Sequence, residues 1–244
     1  MVKKRVMHSL SVLCLACIIV LIFMIAKKTS VQLDNYMVFG EKIGNNEYEE
    51  VFMSQVDEEK IKTSNSTFTS QVESRIFLKM LQENVSKKIN GKMIPIQDVI
   101  KKSNYISVYV GNIDFIDKIK LNSETKEVTY DLDLLQRQMD ITIMNIYHIV
   151  EELKSHNEYC KIMVLSSYFP YYDIPFQNAS ELQQIFNQFN EELKTLCIDS
   201  EVTYLDISLL SSTNYFEEST YTINEAGHQY IGNKLYQCAI EGIC

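Results

Sequence analysis

The sequence predicts a three-layer α/β/α sandwich on a parallel sheet of about five strands. Three observations carry this. The run Tyr105–Val110 is apolar and β-branched, and it breaks at Gly111 into the polar turn Gly111-Asn112-Ile113-Asp114. A buried strand that stops at such a turn reads as a central parallel strand with functional groups at its carboxyl end. Long stretches with apolar residues at helical spacing then alternate with further short apolar runs, which is the signature of successive βαβ units.

Taken in order, Asn35–Gly40 is the first strand, ending at a glycine turn. Residues 41–68 are polar, and Tyr48–Val56 reads as an edge strand. Ser70–Asn90 reads as a helix with Val72, Ile76, Met80 and Leu81 on one face, followed by a brief helix, Ile96–Lys102. Leu134–Ser155 carries Leu135, Met139, Thr142, Ile146, Ile149 and Leu153 at helical spacing. Lys161–Ser166 is the next strand. Ser180 with Gln183 forms a capping box for a helix whose stripe is Leu182, Ile185, Phe186, Phe189, Leu193 and Leu196. Glu201–Ile207 is the last strand and Glu225–Ile240 the terminal helix.

Charge limits the partners. Five of the 23 basic residues and none of the 32 acidic ones precede position 29, so the remainder carries 18 basic against 32 acidic residues. Such a surface repels nucleic acid.

The amino-terminal segment reads as a membrane anchor. Ser9–Ala26 is 18 residues without a charge, bracketed by Lys3-Lys4-Arg5 and Lys27-Lys28. Crossing the hydrocarbon core takes roughly 20 residues, whereas the apolar part of a signal peptide runs to about 15 and ends at a small-residue cleavage site. Ile25-Ala26-Lys27-Lys28 offers no such site, and the apolar run continuing past Cys17 argues against a lipoprotein. The expected organisation is an anchor over 1–28, a linker over 29–34 and one domain over 35–244, with the basic amino end inside and the domain outside the cytoplasm. There, Cys160, Cys197, Cys238 and Cys244 can form two disulfides in any of three pairings, or remain buried thiols. Cys160 and Cys197 each precede a strand, which makes them candidate neighbours. Outside the apolar run that holds Cys14 and Cys17, no cysteine or histidine spacing suits a metal, and no cofactor is expected.

Four segments in order resemble the SGNH (GDSL-type) hydrolases, the flavodoxin-like esterases and acylhydrolases, most of all their bacterial envelope members. Val38-Phe39-Gly40-Glu41-Lys42 is similar to the strand entering Gly-Asp-Ser. Val110–Phe115 is similar to the Gly-x-Asn-Asp block. Met163–Tyr171 resembles the aromatic-proline segment after the fourth strand, and Thr222–His228 the terminal His-Pro-Asn-x-x-Gly-Tyr. The resemblance covers roughly residues 35–240.

By this resemblance the nucleophilic serine falls on Lys42 and the glycine oxyanion donor near Ser66 or Thr67. The asparagine falls on Ile113, one place from Asn112, the histidine on Thr222 and its acid on Ser219. Ester hydrolysis of this type needs a hydroxyl, an imidazole to take its proton, and donors aimed at the oxyanion. Lysine and threonine supply neither of the first two, and losing one member of such a unit costs roughly 10⁴–10⁶ in rate.

The resemblance therefore implies a catalytically degenerate member acting as an envelope binding or scaffold module, with an envelope glycan or acyl group as the expected ligand. Lys42, Asn112, Asp114, Tyr168, Tyr171 and His228 are its candidate cleft residues. Each has a plainer role: Thr222 as helix cap with Glu225, Asp114 closing its own turn, His228 in packing, Lys42 as a solvated turn residue. The aromatic cluster Tyr168, Phe169, Tyr171 and Tyr172 either lines a groove or roofs the core. The alternative is an active ester hydrolase using Ser64, Ser66 or Ser70, with His228, His148 or His156 as base.

Overall fold

A computed structural model describes residues 34–43, 47–56, 61–89, 91–122, 125, 127–169, 179–211, 213–217 and 223–244. The anchor predicted over 1–28 and the linker up to 33 lie outside these residues, as do Tyr171, Tyr172, Ser219 and Thr222.

The main sheet has five parallel strands: β1 (Asp34–Glu41), β2 (Ile61–Ser70), β5 (Tyr105–Tyr109), β8 (Lys161–Leu165) and β9 (Thr203–Leu205), in the order β2-β1-β5-β8-β9. This is the doubly wound order that reverses direction between β1 and β5, where ligands of open α/β sheets bind beyond the carboxyl ends. Alternate residues of β1 serve opposite cores. Met37 and Phe39 pack toward α2 (Ser74–Gln82), α5 (Leu132–His156) and α6 (Ala179–Asp199). Tyr36 and Val38 pack toward α1 (Glu47–Gln55) and α7 (Glu225–Tyr236). Each large apolar side chain buried in this way contributes about 1.5–3 kcal/mol. The predicted stripes of α5 and α6 are all buried.

Two predicted elements are different. Tyr48–Val56 is not an edge strand: Tyr48–Gln55 lies in α1, with Tyr48 and Phe52 one turn apart and buried with Val56, just past its end, in the core shared with α7. The edge strand is β2, within the polar stretch. The single helix predicted over Ser70–Asn90 is α2 followed by a hairpin of β3 (Ser86–Ile89) and β4 (Lys92–Pro95). Asn84, at φ 49°, ends the helix turn and redirects the chain. Ile76, expected on the inner face, is exposed, while Phe77 is buried.

The remaining pieces are the short helices α3 (Ile96–Ile100) and α4 (Asn112–Ile116), and a small pair, β6 (Lys120–Leu121) with β7 (Val128–Thr129). Helix α7 is capped by Asn224, which accepts the Gly227 N–H at 3.0 Å. That corrects the cap assigned to Thr222: the box starts two residues too early. Cys238 and Cys244 form a disulfide; Cys160 and Cys197 are free thiols whose pKa burial pushes up to about 12.

Candidate functional site at the carboxyl edge of the sheet

Two glycines shape the carboxyl ends of β1 and β5, where the strand order reverses and a ligand crevice is expected. Gly40 has φ 121°, and a Cβ there would lie 2.0 Å from the Tyr109 carbonyl oxygen. Gly111 has φ 115°, and its Cβ would strike Thr142 Cγ2 at 2.8 Å. Only glycine fits either turn.

Glu41 follows Gly40 and is buried. Its carboxyl oxygens accept the Gly111 N–H at 2.5 Å and the Ile113 N–H at 3.0 Å, at the start of α4. Burial raises its pKa to about 8; the Gly111 N–H opposes the shift and the nearby Asp114 charge adds to it. The residue at the strand's end is thus a buried acid that titrates near neutral pH and staples two loops together. Sequence reasoning did not single it out, and a carboxyl group directly after a strand-terminating glycine was the available signal.

Lys42 is exposed beside it. Lys87 on β3 lies close enough to feel its charge: partial burial first, and then Lys42, hold the Lys87 pKa below its ordinary value. Asn112 is buried, and its Oδ1 accepts a hydrogen bond from the Ser167 hydroxyl. Ser167 is in turn fixed by Asn190, which accepts its N–H at 2.8 Å and donates to its carbonyl at 2.9 Å. Ser166 accepts the Ile207 N–H at 2.8 Å. The polar groups at the strand tips are therefore largely engaged with one another. The Ile113 position contributes its backbone N–H, not its side chain.

Asp114 turns away from the crevice. Its carboxylate accepts the Ser74 N–H and hydroxyl, each at 2.8 Å, and Gln138 Nε2 at 3.2 Å. It satisfies the amino end of α2 rather than closing its own turn, and desolvation raises its pKa. Tyr168 stacks on Tyr109 with centroids 6.3 Å apart, and Phe169 meets Phe186 at 5.5 Å. Both are buried, so this part of the aromatic cluster roofs the core.

His228 is buried on α7, its ring parallel to Tyr48 at 6.4 Å and its Nε2 4.0 Å from Glu47 Oε2. Its Nδ1 is buried without a partner. Desolvation lowers its pKa, opposed by Glu47. His148 is exposed on α5 against Tyr147, and His156 ends α5 beside Glu152, at the opposite edge of the sheet. Among the described residues no serine hydroxyl is hydrogen-bonded to an imidazole. Thr67, where the glycine donor was expected, lies inside β2 opposite Val38, with its hydroxyl donating to Glu49. Ser66 lies one residue earlier, opposite Met37. The end of that strand is Ser70, paired with Glu41.

No protein-family model matches the sequence, and no curated protein sequence is similar to it. Solved structures are similar in fold. The lipase Lip_vut3 from a goat rumen metagenome superposes with a TM-score of 0.64 at 15% identity, over 83% of this chain and 95% of that one. The acetylxylan esterase Axe2 of Geobacillus stearothermophilus gives 0.56 at 14% identity, over 86% and 96%. A GDSL-like lipase from Parabacteroides merdae gives 0.60 at 10% identity, over 85% and 95%. With the strand order, these likenesses establish that the chain has the SGNH/GDSL hydrolase fold.

Proposed function

We propose that this protein is a membrane-anchored, extracytoplasmic module that binds an acylated envelope glycan without hydrolysing it. One observation carries the reading: the turn leaving β1 offers the exposed ammonium of Lys42 where ester hydrolysis would need a nucleophilic hydroxyl. The engagement of Glu41, Asn112 and Ser167 with neighbouring groups supports it, because groups already paired are poorly placed to stabilise a developing oxyanion. The ligand class follows from the neighbours, a lipase and an acetylxylan esterase, which share ester chemistry and, in the second case, a glycan. The purified chain should turn over p-nitrophenyl acetate no faster than its Lys42→Ala variant. Hydrolysis abolished by a serine-directed fluorophosphonate would overturn the proposal.

A second reading is an active ester hydrolase, favoured by the His228–Glu47 pair, an imidazole with a carboxylate on one side and an unpartnered nitrogen on the other. In that case His228→Ala would abolish the fluorophosphonate-sensitive activity.

A further inference from the structure

The sheet's amino edge, opposite the crevice, collects exposed apolar side chains from three separate chain segments. Tyr159, in the turn between α5 and β8, is 88% exposed; Ile198, at the end of α6 just before β9, is 67% exposed. Ile243, beyond α7, is 65% exposed. Lys161, the first residue of β8, donates through its Nζ to the Cys238 carbonyl, which brings the carboxyl-terminal segment to this same edge. Hydrogen bonds from Asn157 Nδ2 to the Ile100 and Ser103 carbonyls, at 2.9 and 2.7 Å, and from Lys154 Nζ to the Ser200 carbonyl, at 2.8 Å, tie the intervening loops into one rigid border. The chain enters β1 there too: the Asn35 N–H donates to Asn104 Oδ1 at 3.1 Å and Asn35 Nδ2 to the Lys102 carbonyl at 2.7 Å.

We infer that this amino edge is the face the domain turns to a lipid bilayer, with Tyr159, Ile198 and Ile243 as its interfacial residues and the crevice pointing away. The inference rests on the anchored reading above. Chain length supplies the argument for the occupant. Between the uncharged run ending at Ala26 and the start of β1 at Asp34 lie residues 27–33. A spacer of that size reaches at most about 25 Å when fully extended. Strand β1 alone, eight residues long, spans about 26 Å. To lay the carboxyl edge on the bilayer, the spacer would have to run the whole height of the sheet at full extension. Keeping the amino edge at the membrane demands no such extension.

The border carries both signs of charge. Lys101 and Lys102 lie before β5, and Glu158 and Glu201 before β8 and β9. Shallow insertion of apolar side chains, not attraction to anionic headgroups, therefore makes the contact. The ligand reached from the crevice is then a polymer beyond the membrane surface, not a lipid within it.

The protein has no tryptophan, so single reporters can be introduced without background. Tyr159→Trp and Ile198→Trp mark the amino edge. Leu209→Trp marks the opposite edge, where Leu209 is 60% exposed just beyond β9. Each full-length variant is reconstituted into phosphatidylcholine vesicles, with and without bromine on the acyl chains, which quenches nearby indoles. The two amino-edge indoles should shift to shorter emission wavelengths and lose most of their emission in the brominated vesicles, while the indole of the Leu209→Trp variant keeps its own. If the chain fails to float with the vesicles, the anchored reading falls and this inference with it. If it floats but the Leu209→Trp variant is quenched as strongly as the Tyr159→Trp variant, or neither amino-edge reporter is quenched, the orientation is wrong while the anchor stands. Because all three positions are exposed, an unchanged melting temperature separates these outcomes from a folding defect.

Discussion

The carboxyl group of Glu41 holds the Gly111 N–H at 2.5 Å across the gap between β1 and β5, two residues 70 positions apart in the chain. A second bond from the Ile113 N–H, at 3.0 Å, closes the clamp. Burial is the stronger influence on this acid, so its pKa stands at about 8 against an ordinary 4.5. Between those two values the folded protein holds a proton there that the unfolded chain releases. The resulting stability is complete below pH 4.5 and is lost as pH rises toward 8. The slope is on the order of 1 kcal/mol per pH unit in that window. Urea denaturation at pH 5, 6.5 and 8 should show declining stability in the wild type and a flatter profile in Glu41→Gln.

Asp114 makes a separate prediction, because it serves the helix layer and not the crevice. Removing its carboxylate leaves the Ser74 N–H and hydroxyl, both buried, without their acceptor. Asp114→Ala should cost about 2–4 kcal/mol, and Asp114→Asn, which keeps one acceptor oxygen, about half as much. The urea midpoints of the two variants check this. Equal losses would mean that charge, not hydrogen bonding, sets the cost.

The central strands were legible because β1, β5 and β8 are buried on both faces and read as mainly apolar runs, with Ser107 of β5 bonded to the Tyr36 hydroxyl. The same holds for α5 and α6, whose stripes persist for several turns. Strand β2 was not legible: in Ile61-Lys-Thr-Ser-Asn-Ser-Thr-Phe-Thr-Ser few residues are apolar, and as an edge strand it pairs with β1 alone. Helix α1 was hidden for a related reason, since its buried face is only Tyr48 and Phe52, too few to outweigh the aromatic and β-branched character of the segment. At the site, Lys42 and Asn112 can be found by motif order. The Glu41 clamp exists only once β1 and β5 are side by side: the acid after Gly40 is the local signal, but its partner Gly111 lies 70 positions away.

The disulfide between Cys238 and Cys244 closes a loop with a sequence separation of 6 at the end of α7. By the loop-entropy argument so short a loop is worth about 2 kcal/mol. A reducing agent should lower the melting temperature of the wild type and leave that of Cys244→Ala unchanged. Iodoacetamide labelling of the native chain followed by peptide mapping should spare Cys238 and Cys244. Modification of both without prior reduction would show that the bond does not form.

Gly232 sets how closely α1 and α7 approach. A Cβ at this position would lie 2.6 Å from Val51 Cβ and 3.0 Å from the Tyr48 carbonyl oxygen, neither of which is the free end of a flexible side chain. Gly232→Ala must therefore push the helices apart, at a cost of about 1–3 kcal/mol. The same interface buries His228 against Tyr48, and that burial is what lowers the imidazole pKa. Parting the helices admits water and should raise the His228 pKa toward its ordinary value. Proton NMR titration of the histidine ring signals in wild type and Gly232→Ala measures this directly, with His228→Gln assigning the resonance. A lower melting temperature with an unmoved His228 titration would show that the strain is relieved elsewhere along α7.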